Sequence, residues 1–149
     1  MTKNLSDPLL FEFFTEIGII NQLSHAALEH NLPHGLKVSQ FVLLNHLVRL
    51  GQVESPAQLA SALQVTKGAV TNNLQRLLIL GFITIETDPK DKRAKLVNIT
   101  KAGIAARGDC LKALGPMMQE VLRDISVDEF KKALPFLTSF RKYMDERRF

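Results

Sequence analysis

SPAQLASALQVTKGAVTNNLQRLLILGFITIETDPKDKRAKLVNIT, from Ser55 to Thr100, is the stretch that decides the fold. Ser55-Pro56-Ala57-Gln58 is a helix start: a serine cap, proline at the first helical position, and glutamine three residues after the cap. The helix it opens carries Leu59, Ala60 and Leu63 and is expected to stop near Gln64. Val65-Thr66 reads as a tight turn, with Thr66 capping a second helix. There Val70, Leu74, Leu77 and Leu78 fall at helical spacing on one side, and Gly68, Ala69, Asn72, Gln75 and Arg76 on the other. Gly81 closes it. Two short helices joined by a few residues, the second with an outward polar face, form the helix-turn-helix pattern. Phe82 to Ile85 and Leu96 to Ile99 are β-rich runs, and Asp88-Pro89-Lys90-Asp91-Lys92-Arg93 between them is charged and turn-forming. A hairpin in that place is a wing, and its tip carries four cations: Lys90, Lys92, Arg93 and Lys95.

The flanking segments are helical. Asp7-Pro8 opens a first helix, aspartate as cap and proline at the first position, expected to run to about His30. Its apolar surface, from Leu9 and Leu10 through Phe13, Phe14, Ile17 and Ile20 to Leu23, is too broad for one buried stripe, and a second subunit is a natural cover. Asn31 to Lys37 reads as a loop, and Ser39 is expected to cap a helix over Gln40–Leu50 that Gly51 ends. Val53-Glu54 suits a short edge strand. Thr100 caps a long helix to about Asp124, interrupted by Gly108, Gly115 and Pro116 and bent near Pro116. Ser126-Val127-Asp128-Glu129 is a capping box for the last helix, in which Pro135 should introduce a kink.

Composition narrows the function classes. A chain of 149 residues with 46% hydrophobic content makes one domain with a core. No apolar run approaches the roughly 18 residues of a membrane span, and the N-terminus lacks a signal-peptide pattern, so a cytoplasmic location is expected. The single cysteine, Cys110, rules out an intrachain disulfide framework. With no tryptophan and one tyrosine, base stacking on single strands is a poor reading. The net charge is +4, with the N-terminal 35 residues acidic and residues 36–100 basic, eight Lys or Arg against four Asp or Glu. That footprint fits nucleic acid, although a solvated basic surface has the same composition. A helix with a small, polar and basic outer face suits the major groove. No P-loop, glycine-rich dinucleotide turn, His-Glu-x-x-His or nucleophile elbow is present, so no enzyme class is supported.

The chain resembles the MarR (multiple antibiotic resistance regulator) family of winged-helix transcription factors. The resemblance rests on the element order, on LASALQVTKGAVTNNLQRLLILGFI, and on the wing motif Asp-Pro-x-Asp-x-Arg at Asp88 to Arg93 followed by Thr-x-x-Gly at Thr100 to Gly103. It covers nearly the whole chain. It implies a mainly α fold with a small β-hairpin wing: a winged helix-turn-helix over residues 36–100, and an interlocked helical dimerisation region from residues 1–35 and 101–149. It also implies a homodimer bound to a pseudo-palindromic operator in double-stranded DNA, often as a repressor, released by a small aromatic or phenolic effector. No cofactor or membrane partner is implied.

Site residues follow position by position. Thr66 and Lys67 would stand where the helix enters the groove, with Lys67 and free backbone N–H groups holding phosphate. Gly68 and Ala69 would permit close approach. Thr71, Asn72 and Arg76 are expected base or phosphate contacts, Arg76 suited to guanine and Asn72 to adenine. Relatives often carry arginine near Asn72, so this operator is expected to differ from theirs. Arg93 would enter the minor groove, oriented by an ion pair with Asp91, while Lys90, Lys92 and Lys95 contact phosphate. Asn73 points nearer the buried side and is read as packing. Leu23, Phe41, Val42 and His46 are the expected effector-lining residues. His25, His30, His34 and His46 form no tight metal motif, and Cys110 is expected as a buried small hydrophobe. The competing reading is a winged-helix module that binds protein, or binds DNA architecturally, without ligand response.

Overall fold

A computed structural model describes residues 8–148; the expected cap Asp7 lies outside them. The order is α1 (Pro8–Asn31), α2 (Val38–Leu50), α3 (Pro56–Leu63), α4 (Lys67–Ile79), β1 (Ile83–Asp88), β2 (Asp91–Ile99), α5 (Lys101–Asp124) and α6 (Val127–Arg147). The chain forms two compact units, one up to Ala113 and one from Leu114 onward. Among the described residues no helix is long and apolar enough to cross a membrane.

The core of the first unit is built by α2, α3, α4, the hairpin and the start of α5. Leu43, Leu44, Leu59, Val70, Leu77, Ile83, Val97 and Cys110 are all fully enclosed. Local caps set the helix-turn-helix. Ser55 accepts the Gln58 N–H at 3.1 Å while its own N–H donates to Gln58 Oε1 at 2.9 Å, completing the expected box. Gln64 ends α3 in the left-handed region, at φ 53°. Thr66 Oγ1 then accepts the Ala69 N–H at 3.1 Å and starts α4.

Helix α2 begins two residues earlier than expected, and Ser39 is not its cap. The Lys37 N–H donates to Gln40 Oε1 at 3.0 Å, and the Val38 N–H to Glu29 Oε2 at 2.9 Å. Those carboxamide and carboxylate oxygens satisfy the first helical donors, which frees Ser39 to donate to Asn73 Oδ1 on α4 at 3.2 Å. Asn73 is thus a packing residue, as its position on the helix suggested.

The wing is longer than its β-rich runs. The antiparallel ladder pairs Ile83 with Ile99 and continues to Asp88 opposite Asp91, with an irregularity between Thr87 and Asp88. Lys92, Arg93 and Ala94 fall within β2 but in that irregularity, with no register partner in β1. Asp88 and Asp91 make this possible: Asp88 Oδ1 accepts the Lys90 N–H at 2.9 Å and Asp91 Oδ1 accepts the Arg93 N–H at 3.0 Å. The expected edge strand at Val53-Glu54 shrinks to one bridge, in which Val97 N–H donates to the Glu54 carbonyl at 2.8 Å.

Thr100 joins the wing to α5. Its hydroxyl donates to the Gly81 carbonyl at 2.7 Å and accepts the Gly103 N–H at 3.0 Å, while its N–H donates to the Phe82 carbonyl at 3.0 Å. A Cβ on Gly103 would fall on the Phe82 carbonyl and 2.8 Å from Ile99 Cγ1, so the Thr-x-x-Gly spacing is a steric requirement. Helix α5 runs unbroken through Gly108, Gly115 and Pro116, contrary to the expected interruption. Each glycine costs about 1 kcal/mol without forbidding a helix, and a proline deletes a single backbone donor.

In the second unit, Ser126 Oγ accepts the Asp128 N–H at 3.3 Å, but Glu129 does not close a capping box. Its carboxylate lies instead 3.9 Å from Lys132 Nζ. Pro135 lies inside α6, and Phe136, Phe140 and Tyr143 stack in sequence with the Arg147 guanidinium 3.8 Å over the tyrosine ring.

Candidate nucleic-acid interface

Helix α4 buries Val70, Leu74 and Leu77, which fixes its opposite side. Gly68, Asn72, Gln75 and Ile79 form the outermost line, and Ile79 is 78% exposed. Leu78, expected with the core, is largely exposed. Lys67 and Ala69 flank the line at the helix start, where the first N–H groups have no carbonyl one turn back. Thr71 is exposed, but its hydroxyl donates to the Lys67 carbonyl at 2.9 Å. Arg76 leaves the outermost line: its Nη2 lies 3.5 Å from where a Gly35 Cβ would stand, against the loop between α1 and α2. Gln75 was legible in the same helical spacing as Asn72 yet is absent from the expected site.

The start of α4 and the wing share an open cleft of about 450 Å³, lined by Ser55, Pro56, Ala57, Lys67, Thr71, Arg93, Ala94 and Lys95. Four expected residues thus come together: Lys67, Thr71, Arg93 and Lys95. Lys90, Asp91 and Lys92 stay on the exposed tip. The first turn of α3 was missed; its sequence announced a helix start, and only the fold brings it beside the wing.

Among the described residues, none of Lys67, Arg93 and Lys95 is held in an ion pair. Asp91 does not pair with the Arg93 guanidinium; its carboxylate is engaged by the Arg93 backbone N–H, which turns the strand instead of aiming the side chain. Three uncompensated cations around one concavity favour an anion there.

The four expected effector residues differ in exposure. Phe41 and His46 are buried, whereas Val42 and Leu23 are exposed. His46 Nε2 lies 3.3 Å from both carboxylate oxygens of Glu54. His34 pairs with Asp109 at 2.8 Å and sets its ring edge-on to Phe82. His25 and His30 are exposed on α1. Among the described residues no three metal-ligating side chains cluster.

Cys110 is fully buried on α5, and burial, then the neighbouring Asp109 charge, pushes its thiol above the ordinary range. Native protein should therefore react with iodoacetamide only through opened molecules, at a rate that climbs with urea as global unfolding does. Fast labelling without denaturant would show an accessible thiolate. Because the folded chain holds this proton more tightly than the unfolded one, its stability should decline as pH rises past the unfolded thiol range.

A family model described as the MarR family matches residues 34–94. The multiple antibiotic resistance protein MarR of Escherichia coli K12 is 31% identical over 128 residues, covering 80% of this chain and 88% of that one. MarR of Salmonella typhimurium is 33% identical over 146 residues, covering 89% and 99%. Among solved structures, a cysteine-to-serine variant of E. coli MarR complexed with operator DNA superposes with a TM-score of 0.71 at 28% identity, over 91% of this chain and 99% of that one. Another MarR structure reaches a TM-score of 0.81 over 99% of this chain at 23% identity, a likeness of fold. With its winged helix-turn-helix and relatives matched over most of their length, the chain belongs to the MarR family of transcription regulators.

Proposed function

We propose that this chain acts in the cytoplasm as a homodimeric repressor, binding a pseudo-palindromic operator in double-stranded DNA and catalysing nothing. The observation that carries the reading is the convergence of Lys67, Thr71, Arg93 and Lys95 on one cleft between α4 and the wing. It is supported by the E. coli relative whose structure holds operator DNA. Thr66 and the first turn, Lys67, Gly68 and Ala69, enter the major groove, with Thr71, Asn72 and Arg76 continuing the contact. Lys90, Lys92, Arg93 and Lys95 follow the backbone and the adjoining minor groove, and Asp91 shapes the turn that presents them. Residues 36–100 form the DNA-binding region, and residues 1–35 and 101–149 supply the dimer helices. Two observations favour the latter: Leu9, Leu10, Phe11, Ile20 and Leu23 are exposed on α1, and Leu134, Phe136 and Leu137 are exposed on α6. Helices that leave so many large apolar side chains exposed favour a partner that covers them.

Release by a small aromatic acid belongs to the same proposal and is supported by family membership. Of the four expected lining residues, Leu23 and Val42 are those a ligand reaches without unpacking the core.

Selection of bound genomic fragments by the purified full chain, at physiological salt, tests the reading. One inverted repeat with half-sites about 10 base pairs apart is expected. Affinity for it should fall linearly on a log–log salt plot, with a slope near 0.9 per phosphate neutralised. Binding that is salt-sensitive but indifferent to sequence would leave an architectural module instead.

A further inference from the structure

The polar side chains of α4 are not equally free to read bases. Thr66 accepts the Ala69 N–H, Thr71 donates to the Lys67 carbonyl, and Asn73 accepts from Ser39. Arg76 lies along the loop at Gly35, off the outermost line. Lys67 faces the cleft shared with Arg93 and Lys95, where its charge suits a phosphate, so Asn72 and Gln75 remain. Both are exposed one turn apart on the outermost line, and neither carboxamide has a hydrogen bond within the described residues. Gly68, one turn before Asn72, begins the same line. A Cβ there would meet nothing within 4 Å, so no internal packing requires glycine. A glycine in a helix is nonetheless unfavourable by about 0.5–1 kcal/mol relative to alanine. A glycine at this position leaves the helix backbone open to close approach by a partner.

A carboxamide presents one donor and one acceptor side by side, the complement of the adenine N7 and N6 edge in the major groove. A guanidinium presents donors only and complements guanine. From this we infer that Asn72 and Gln75 together determine the sequence specificity of the helix, each pairing with an adenine, so that the half-site core is A·T at two positions read from the major groove. Arg76, beside the loop, meets a phosphate and contributes no base preference. The inference rests on the DNA-binding reading above and adds to it which residues read, and what they read.

The test is selection from a random duplex library with the full-length protein, followed by binding of the enriched duplex and its single-base variants. N72A and Q75A alter exposed side chains without hydrogen bonds in the fold, and thermal melts confirm that both variants fold. Each should abolish preference at one A·T position, where the parent discriminates about 5- to 150-fold against the other pairs. R76A should weaken all duplexes alike and lower the salt slope by about one. A half-site whose preferred G·C pair is lost in R76A, with N72A and Q75A retaining the parental preference, overturns the assignment. So does an enriched pool with no common motif. Absence of salt-sensitive binding to any duplex would instead sink the DNA-binding reading itself, so the two failures are distinct.

Discussion

Gly103→Ala should destabilise the first unit by about 3 kcal/mol or more, while Gly108→Ala, five residues along the same helix, should stabilise it by about 0.5–1 kcal/mol. The contrast comes from what each new methyl would meet. At Gly103 it collides with the Phe82 carbonyl, a backbone group fixed in the base of the wing, and presses on Ile99. Backbone cannot rotate aside as a side chain can, so the start of α5 must lift. Lifting it stretches the Thr100 N–H bond to the same carbonyl and the Thr100 hydroxyl bond to Gly81, each worth about 1 kcal/mol net. At Gly108 nothing stands within 4 Å, and only the helix-forming advantage of alanine remains. Urea denaturation at one protein concentration measures both, since dimerisation makes the midpoint depend on concentration. Equal midpoints for Gly103→Ala and the parent chain would mean that α5 does not sit against the wing as described.

The second large effect is expected at His46. Replacing it with leucine removes the side chain that meets the Glu54 carboxylate, and both residues are less than a tenth exposed. Removing one partner of a buried hydrogen bond typically costs about 1–3 kcal/mol, because the other is left unsatisfied. Replacing both, as His46→Leu with Glu54→Leu, should recover most of that loss, since an apolar pair of similar volume is often neutral. The four corners of this cycle report the coupling directly. A second readout is local: the Glu54 carbonyl holds the Val97 N–H of β2, so amide exchange at Val97 should accelerate in His46→Leu more than in the double variant. Additive single substitutions would show that the pair contributes no coupling.

The helix-turn-helix could be read from the chain because its boundaries are local. Ser55 with Gln58, Thr66 with Ala69, and Gly81 in the left-handed region each act within one turn, and a linear pattern records them. What escaped depends on residues distant in sequence. Lys37 replaces Ser39 as the cap of α2 because Glu29 comes from another helix to meet Val38, and no spacing rule anticipates that. The wing outgrew its β-rich runs because two aspartates satisfy the turn, which composition marks only as polar. The cleft wall at Ser55 to Ala57 and the sideways course of Arg76 both require knowing which loop lies beside α4. Glu129 shows the converse: a locally complete capping signal is not closed, and its carboxylate lies nearer Lys132, one turn further along the same helix.

The ladder of the wing resumes at Asp88 opposite Asp91 after leaving Lys92, Arg93 and Ala94 unpaired, and this bears on the entropy of association. A flexible tip would have to be fixed on contact, at about 1–2 kcal/mol per residue of backbone freedom. Here the segment is tied at both ends, at Lys95 opposite Thr87 and at Asp91 opposite Asp88, so part of that freedom is already lost on folding. The wing thus meets its partner with a short basic bulge whose two ends are pinned before the encounter.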